Sequence, residues 1–196
     1  SLIANVIDSE PDEIFFYSGA TEANNHSIFA LSALSTKQTD RKRVIVTEIE
    51  HKCVLEASKF WAKNFNLDLC FLKVNEEGFI DFEQLAELLK VPTLFCSIMY
   101  VNNEVGTIQN IEDLIGVAQS HSILFHSDCV QAVGKLPIST KSIDADYMSF
   151  SAHKFYGPKG VGALFIKNGI TIKPMIIGGS QEKNMRAGTE NVSGIA

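Results

Sequence analysis

The sequence predicts an α/β fold: a mainly parallel sheet with helices on both faces. Two observations carry this. Short apolar runs recur along the chain, and between them lie segments whose apolar residues repeat at helical spacing. The length of 196 residues, with 45% hydrophobic and 20% charged side chains, is that of an ordinary globular chain with one sizeable core.

Ile14 to Tyr17 is the first strand candidate. It runs into the turn Ser18-Gly19-Ala20-Thr21-Glu22, after which Ile28, Leu31 and Leu34 mark a helix. Val44 to Thr47 is the second strand, and Val54, Trp61 and Phe65 place the next helix on one apolar side. Leu69 to Val74 follows as a strand. Asp81 caps a helix whose buried face is Phe82, Leu85, Leu88 and Leu89. Thr93 to Val101 reads as a long strand ending in Asn102-Asn103-Glu104. Asn110 and Asp113 open a helix carrying Ile111, Leu114, Ile115 and Ala118. Ile123 to His126, Tyr147 to Phe150, Val161 to Ile166 and Ile172 to Ile177 complete the strand candidates. Asn191 opens a last apolar pattern at the end of the chain.

Charge and composition exclude several classes of function. Seventeen Lys and Arg against 23 Asp and Glu give a net charge of -6, so no positive field is available for a nucleic-acid backbone. The basic run Arg41-Lys42-Arg43 fits the solvated entry to a strand. No apolar stretch reaches the roughly 18 residues of a membrane helix, and Ser1 to Glu10 has no signal-peptide pattern. Four scattered cysteines without a C-x-x-C pair point to a reducing, cytoplasmic setting. The histidines and cysteines offer no metal-ligand spacing beyond His126-Ser127-Asp128.

In a parallel sheet, ligands gather beyond the carboxyl ends of the strands, which is where this sequence places its unusual polar residues. Ser18-Gly19-Ala20-Thr21 brings free backbone N–H groups, a helix dipole and a hydroxyl towards a phosphate, although Ser and Thr there also serve as plain caps. Gly157-Pro158-Lys159-Gly160-Val161-Gly162 matches neither the dinucleotide nor the P-loop spacing. Asp128 follows an apolar strand, where a carboxylate needs a cation or the role of a helix cap. Lys154, after another strand and beside His153, is either a buried amine suited to Schiff-base chemistry or an exposed loop lysine. A carboxylate for a pyridinium nitrogen and an amine for an aldehyde are together what pyridoxal phosphate requires of a protein. His51 stands at a strand-to-helix junction, where an imidazole can stack on a ring or move protons.

These residues lie in segments that resemble the cysteine desulfurases of the class V, fold-type I pyridoxal phosphate enzymes. The matching segments are Ser18 to Asn25, Glu50-His51, Asn102 to Gln109, His126-Ser127-Asp128 with Gln131, Ser151 to Lys154, Gly157 to Gly160, Gly178 to Glu182 and Arg186 to Asn191. The resemblance implies a seven-stranded-type sheet, the large domain of that fold, over residues 1–196. It implies that Lys154 carries pyridoxal 5'-phosphate as a Schiff base, Asp128 keeps the ring nitrogen protonated and His51 stacks on the ring. Asn103 and Gln131 would contact the ring hydroxyl or the amino acid, and Ala20, Thr21, Ser151 and His153 the phosphate. Thr189 resembles a threonine that family members lend to the neighbouring subunit's phosphate, which implies a homodimer.

The resemblance further implies conversion of L-cysteine to alanine, with sulfur passed to an enzyme cysteine and on to an acceptor or scaffold protein. The Gly-Pro-Lys-Gly and Arg-x-Gly-Thr segments resemble the iron-sulfur cluster assembly branch. Because the sequence opens at Ser1 and stops within a helical pattern, the expectation is a fragment. An amino-terminal segment and a smaller carboxyl-terminal domain with the nucleophilic cysteine would lie outside it, leaving these residues inactive alone. A selenocysteine lyase or aminotransferase would use the same Lys154, Asp128 and His51; a noncatalytic partner-binding module would not need them.

Overall fold

In the computed structural model, which describes residues 2–37, 39–170 and 172–196, the predicted alternation becomes seven strands and six α-helices among the described residues. The strands are β1 (Ile14–Tyr17), β2 (Arg43–Thr47), β3 (Asp68–Leu72), β4 (Thr93–Ser97), β5 (Leu124–Asp128), β6 (Tyr147–Ser151) and β7 (Gly162–Ile166). They form one sheet in the order β1-β7-β6-β5-β4-β2-β3. The pairings among β2 to β6 are parallel, while β7 runs antiparallel to both its neighbours, β6 and β1.

The helices are α1 (Leu2–Val6), α2 (Ala20–Ala33), α3 (Lys52–Phe65), α4 (Phe82–Leu88), α5 (Ile111–Ser120) and α6 (Val192–Ile195). Successive strand residues point to opposite faces, so the apolar runs feed two cores. Val44, Val46 and Phe95 pack with Ile28, Leu31 and Val54 of α2 and α3 on one face. Ile45, Cys96 and Phe125 pack with Leu85, Leu114 and Ile115 of α4 and α5 on the other. Burial on both faces is why these strands read as continuous apolar runs.

Two strand expectations require correction. The fourth strand stops at Ser97 rather than Val101. Beyond it, Ile98 and Tyr100 still donate to His126 and Asp128, but the Met99 N–H goes to the Glu50 carboxylate instead of to β2. The chain thus leaves the sheet where a side chain replaces a strand partner. Residues 172–177 form no strand; the backbone there is tied to α2, with Lys173 O accepting from His26 Nε2 at 2.8 Å.

Candidate active site

The parallel arrangement brings the ends of β2, β4, β5 and β6 to one edge of the sheet, beside the amino terminus of α2. A cavity of about 550 Å³ opens there. Of the ten site residues expected from the sequence, Ala20, Thr21, His51, Asn103, Asp128, Gln131, Ser151, His153 and Lys154 line it. A larger hollow, about 680 Å³, is bounded by apolar residues such as Leu2, Phe16, Phe155 and Ile195, and among the described residues Tyr156 is its sole ionisable side chain. Chemistry therefore belongs to the first.

One end of this cavity suits an anion. Helix α2 spans 14 residues and begins after Gly19 with no side-chain cap, leaving first-turn N–H groups unclaimed by one. Ser151 faces Gly19 at ordinary contact distance: a Cβ on Gly19 would lie 4.0 Å from Ser151 Oγ. Ser151 Oγ in turn lies 3.0 Å from His153 Nδ1. The cup is braced from behind by Glu22, which accepts from Ser18 N at 2.8 Å and Ser18 Oγ at 2.6 Å. The same carboxylate holds Arg186 Nε at 2.7 Å and Nη2 at 3.1 Å. Burial works against ionisation of Glu22, but the Arg186 and Ser18 hydrogen bonds outweigh it and hold its pKa below the usual carboxylate range.

The floor of the cavity carries a buried carboxylate. Asp128 is 4% exposed and accepts from Val130 N at 3.0 Å and Asn24 Nδ2 at 2.8 Å. No lysine or arginine pairs with it among the described residues. Burial accordingly pushes its pKa up, against the pull of those hydrogen bonds and of His51. A cation entering the cavity would reverse that shift.

His51 is the N-cap of α3 and is exposed to the cavity, its Nδ1 accepting from Cys53 N at 3.2 Å. Lys154 ends the short 3-10 turn Ala152–Lys154 after β6. Of the two fates weighed from the sequence, exposure is the one observed: the turn lifts Lys154 off the sheet edge, so the side chain stands in the cavity mouth instead of in a buried pocket. Its ammonium forms no ion pair among the described residues. Thr189 is not brought to this cavity; with Arg186, Gly160 and Ser18 it lines a separate hollow of about 180 Å³.

Sequence reasoning passed over three residues. Asn24 is a fully buried polar side chain on the apolar face of α2, between Ala23 and Ile28, and that misfit was its signal. Glu50 is buried beside Asp128 and accepts from Thr47 Oγ1 at 2.6 Å and from Met99 N. Burial above all, with the charge of Asp128 adding to it, pushes Glu50 up to about 8. Cys53, half-buried, lines the cavity next to His51.

The family model described as aminotransferase class-V matches residues 1–196. A curated relative from Dictyoglomus turgidum, "Cysteine desulfurase IscS", is 48% identical over 98% of this chain and 48% of its own length. A solved structure titled "NIFS-LIKE PROTEIN" superposes with a TM-score of 0.92 at 42% identity, over 98% of this chain and 53% of that one. Another, "SspA in complex with cysteine", gives a TM-score of 0.92 at 38% identity, over 99% and 56%. The chain spans about half the length of the curated relatives it matches.

Proposed function

The chain belongs to the class-V aminotransferase family, and on that premise we propose that it is the cofactor-binding part of a pyridoxal-phosphate-dependent cysteine desulfurase. The supporting observation is that one cavity holds, at an uncapped helix terminus, a buried carboxylate, Asp128, and an amine, Lys154, neither of which forms an ion pair with a lysine, arginine, aspartate or glutamate among the described residues. That donor set fits the cofactor: Ala20, Thr21, Ser151 and His153 for its phosphate, Asp128 for its ring nitrogen, His51 for its ring face, Asn103 and Gln131 for its hydroxyl or the substrate, and Lys154 for its aldehyde. When bound, pyridoxal phosphate supplies an electron sink for a proton lost from the α-carbon of an amino acid.

The residues here would bind and orient. Asp128, buried at the cavity floor, would hold a proton on the cofactor's ring nitrogen by charge. Lys154, with its flexible stem at the cavity mouth, would hold the cofactor by its aldehyde and is placed to carry a proton to or from the substrate. The reaction proposed breaks the Cβ–S bond of L-cysteine: the sulfur goes to an enzyme thiol, giving a persulfide, and the carbon skeleton leaves as L-alanine with a proton at Cβ. The four thiols described here do not suit that step. Burial pushes Cys53 up to about 11 and Cys96 and Cys129 up to about 12, and raises Cys70 as well. The reading therefore assigns the sulfur-accepting thiol to residues outside these 196, consistent with relatives of about twice the length.

We also infer a homodimer in which Thr189, pointing to its own hollow, serves the partner's phosphate. A reducing compartment and delivery of sulfur to an iron-sulfur assembly partner complete the reading. The test is to incubate the whole protein with pyridoxal phosphate and L-cysteine, measure alanine, then reduce with borohydride and locate the adduct by mass spectrometry. Alanine release with the adduct on Lys154 is expected; an adduct on another lysine, or no alanine, overturns the reading.

A further inference from the structure

Asp128 and His51 sit on different elements, the end of β5 and the start of α3, yet a hydrogen-bonded chain joins them. Asn24 Nδ2 donates to Asp128 Oδ2 at 2.8 Å and to Cys53 Sγ at 3.2 Å, which accounts for both of its hydrogens. Cys53 Sγ lies 3.0 Å from His51 Nδ1. The Cys53 backbone N–H points at the same nitrogen from 3.2 Å, which favours the tautomer with Nδ1 as acceptor, its lone pair shared by that N–H and the thiol. The ring proton is thereby left on Nε2. The opposite orientation of the Asn24 amide would set its oxygen against the Asp128 carboxylate, acceptor against acceptor. In the orientation observed, Asn24 Oδ1 is buried without a partner among the described residues, so the two donor bonds are what hold this amide in place.

We propose that Asn24 and Cys53 are positioning residues that couple Asp128 to His51, fixing the carboxylate as an acceptor and the imidazole as an Nδ1 acceptor with its proton on Nε2. The proposal rests on the reading of Asp128 and His51 as contacts of one bound ring. Neither positioning residue touches the reacting atoms: Asn24 serves by its two donors, Cys53 by relaying one of them.

The test is made on the whole protein without cofactor, so it is independent of whether the cofactor assignment is right. Histidine-selective 15N NMR reads the His51 imidazole nitrogens. Cys53→Ala should move Nδ1 downfield, towards a nitrogen with fewer donors, and Cys53→Ser should restore most of the shift. Asn24→Ala should also move Nδ1, although no hydrogen bond joins Asn24 to His51, and the double variant should match Cys53→Ala alone. If Asn24→Ala fails to fold, Asn24→Leu, which keeps the side-chain shape and removes both donors, replaces it and should move Nδ1 in the same way. Unchanged His51 signals in the Asn24 variants, or additive shifts in the double variant, would overturn the coupling.

Discussion

Gly162 of β7 lies so close to Gly19 that a Cβ on Gly162 would stand 2.5 Å from the Gly19 carbonyl carbon and 2.6 Å from its Cα. The contact is backbone against backbone, and neither side can rotate away. It sets the height of the Ser18–Thr21 turn over the sheet edge, and so the position of the α2 amino terminus. Gly162→Ala is expected to push this turn outward, weakening phosphate binding about tenfold or more and lowering stability by about 1–3 kcal/mol. Titration with inorganic phosphate and thermal unfolding would check this. Wild-type affinity and stability would show that the turn relaxes freely.

Asp128→Asn should lower turnover of the whole protein by roughly 10²-fold while cofactor occupancy falls much less. The amide keeps a hydrogen bond but not the charge that holds a proton on a facing nitrogen. It also places an NH2 against either Val130 N–H or the Asn24 amide, where both partners now donate. Asn24 can answer by turning its unpartnered oxygen inward, at the cost of its bond to Cys53. Steady-state rates and absorbance of bound cofactor separate the two effects; near-normal turnover would remove Asp128 from its assigned role.

Glu22 and Glu50 make opposite predictions for pH. The pKa of Glu22 is held down in the folded state, so its stabilisation is present above the ordinary carboxylate value and is lost as pH falls through the lowered one. Glu22→Gln should therefore unfold at a lower temperature than wild type near pH 7, and the gap should close in acid. A gap that persists below pH ~3 would mean that packing, not the Arg186 pair, is what the variant disturbs.

Burial holds Glu50 up to about 8, well above the ordinary carboxylate 4.5, so the folded state binds the extra proton and stability falls as pH rises through that window. Glu50→Gln keeps an acceptor for Thr47 and Met99 and has nothing to ionise. Its melting temperature should gain on wild type between pH 5 and 8. Parallel curves for the two proteins would show that Glu50 is not protonated in the native state.

How much of this was legible follows from what burial does to sequence patterns. Strands buried on both faces gave continuous apolar runs, so the order of elements and the polar residues at the strand ends, from Ser18 to Lys154, could be placed by position alone. What failed was local competition for backbone groups. Nothing in Thr93 to Val101 announces that the Met99 N–H is taken by Glu50, which lies far away in sequence. Asn24 announced itself only as a polar misfit on the apolar face of α2; its role did not show, because its partners, Asp128 and Cys53, are assembled only by the fold. The separation of Thr189 from the cavity likewise depends on the path of residues 181–191, where Glu182, Lys183 and Asn184 all adopt positive φ. Only the resemblance had set Thr189 apart.

The last prediction is that the 196 residues alone release no alanine from L-cysteine, even with pyridoxal phosphate supplied. Sulfur abstraction needs a thiolate brought to within a few ångströms of the substrate sulfur. Cys96 and Cys129 are buried and pushed up to about 12, and neither borders the cavity. Cys70 lies on β3 at the far edge of the sheet. Cys53 does line the cavity, but it is held by Asn24 and His51 on a helix and pushed up to about 11 by burial, so less than about one part in a thousand is thiolate at pH 7. Alanine would be measured for this chain and for the whole protein at equal cofactor occupancy, with circular dichroism confirming that both are folded. Comparable release from the shorter chain would make Cys53 the nucleophile and overturn the assignment of that thiol to residues outside it.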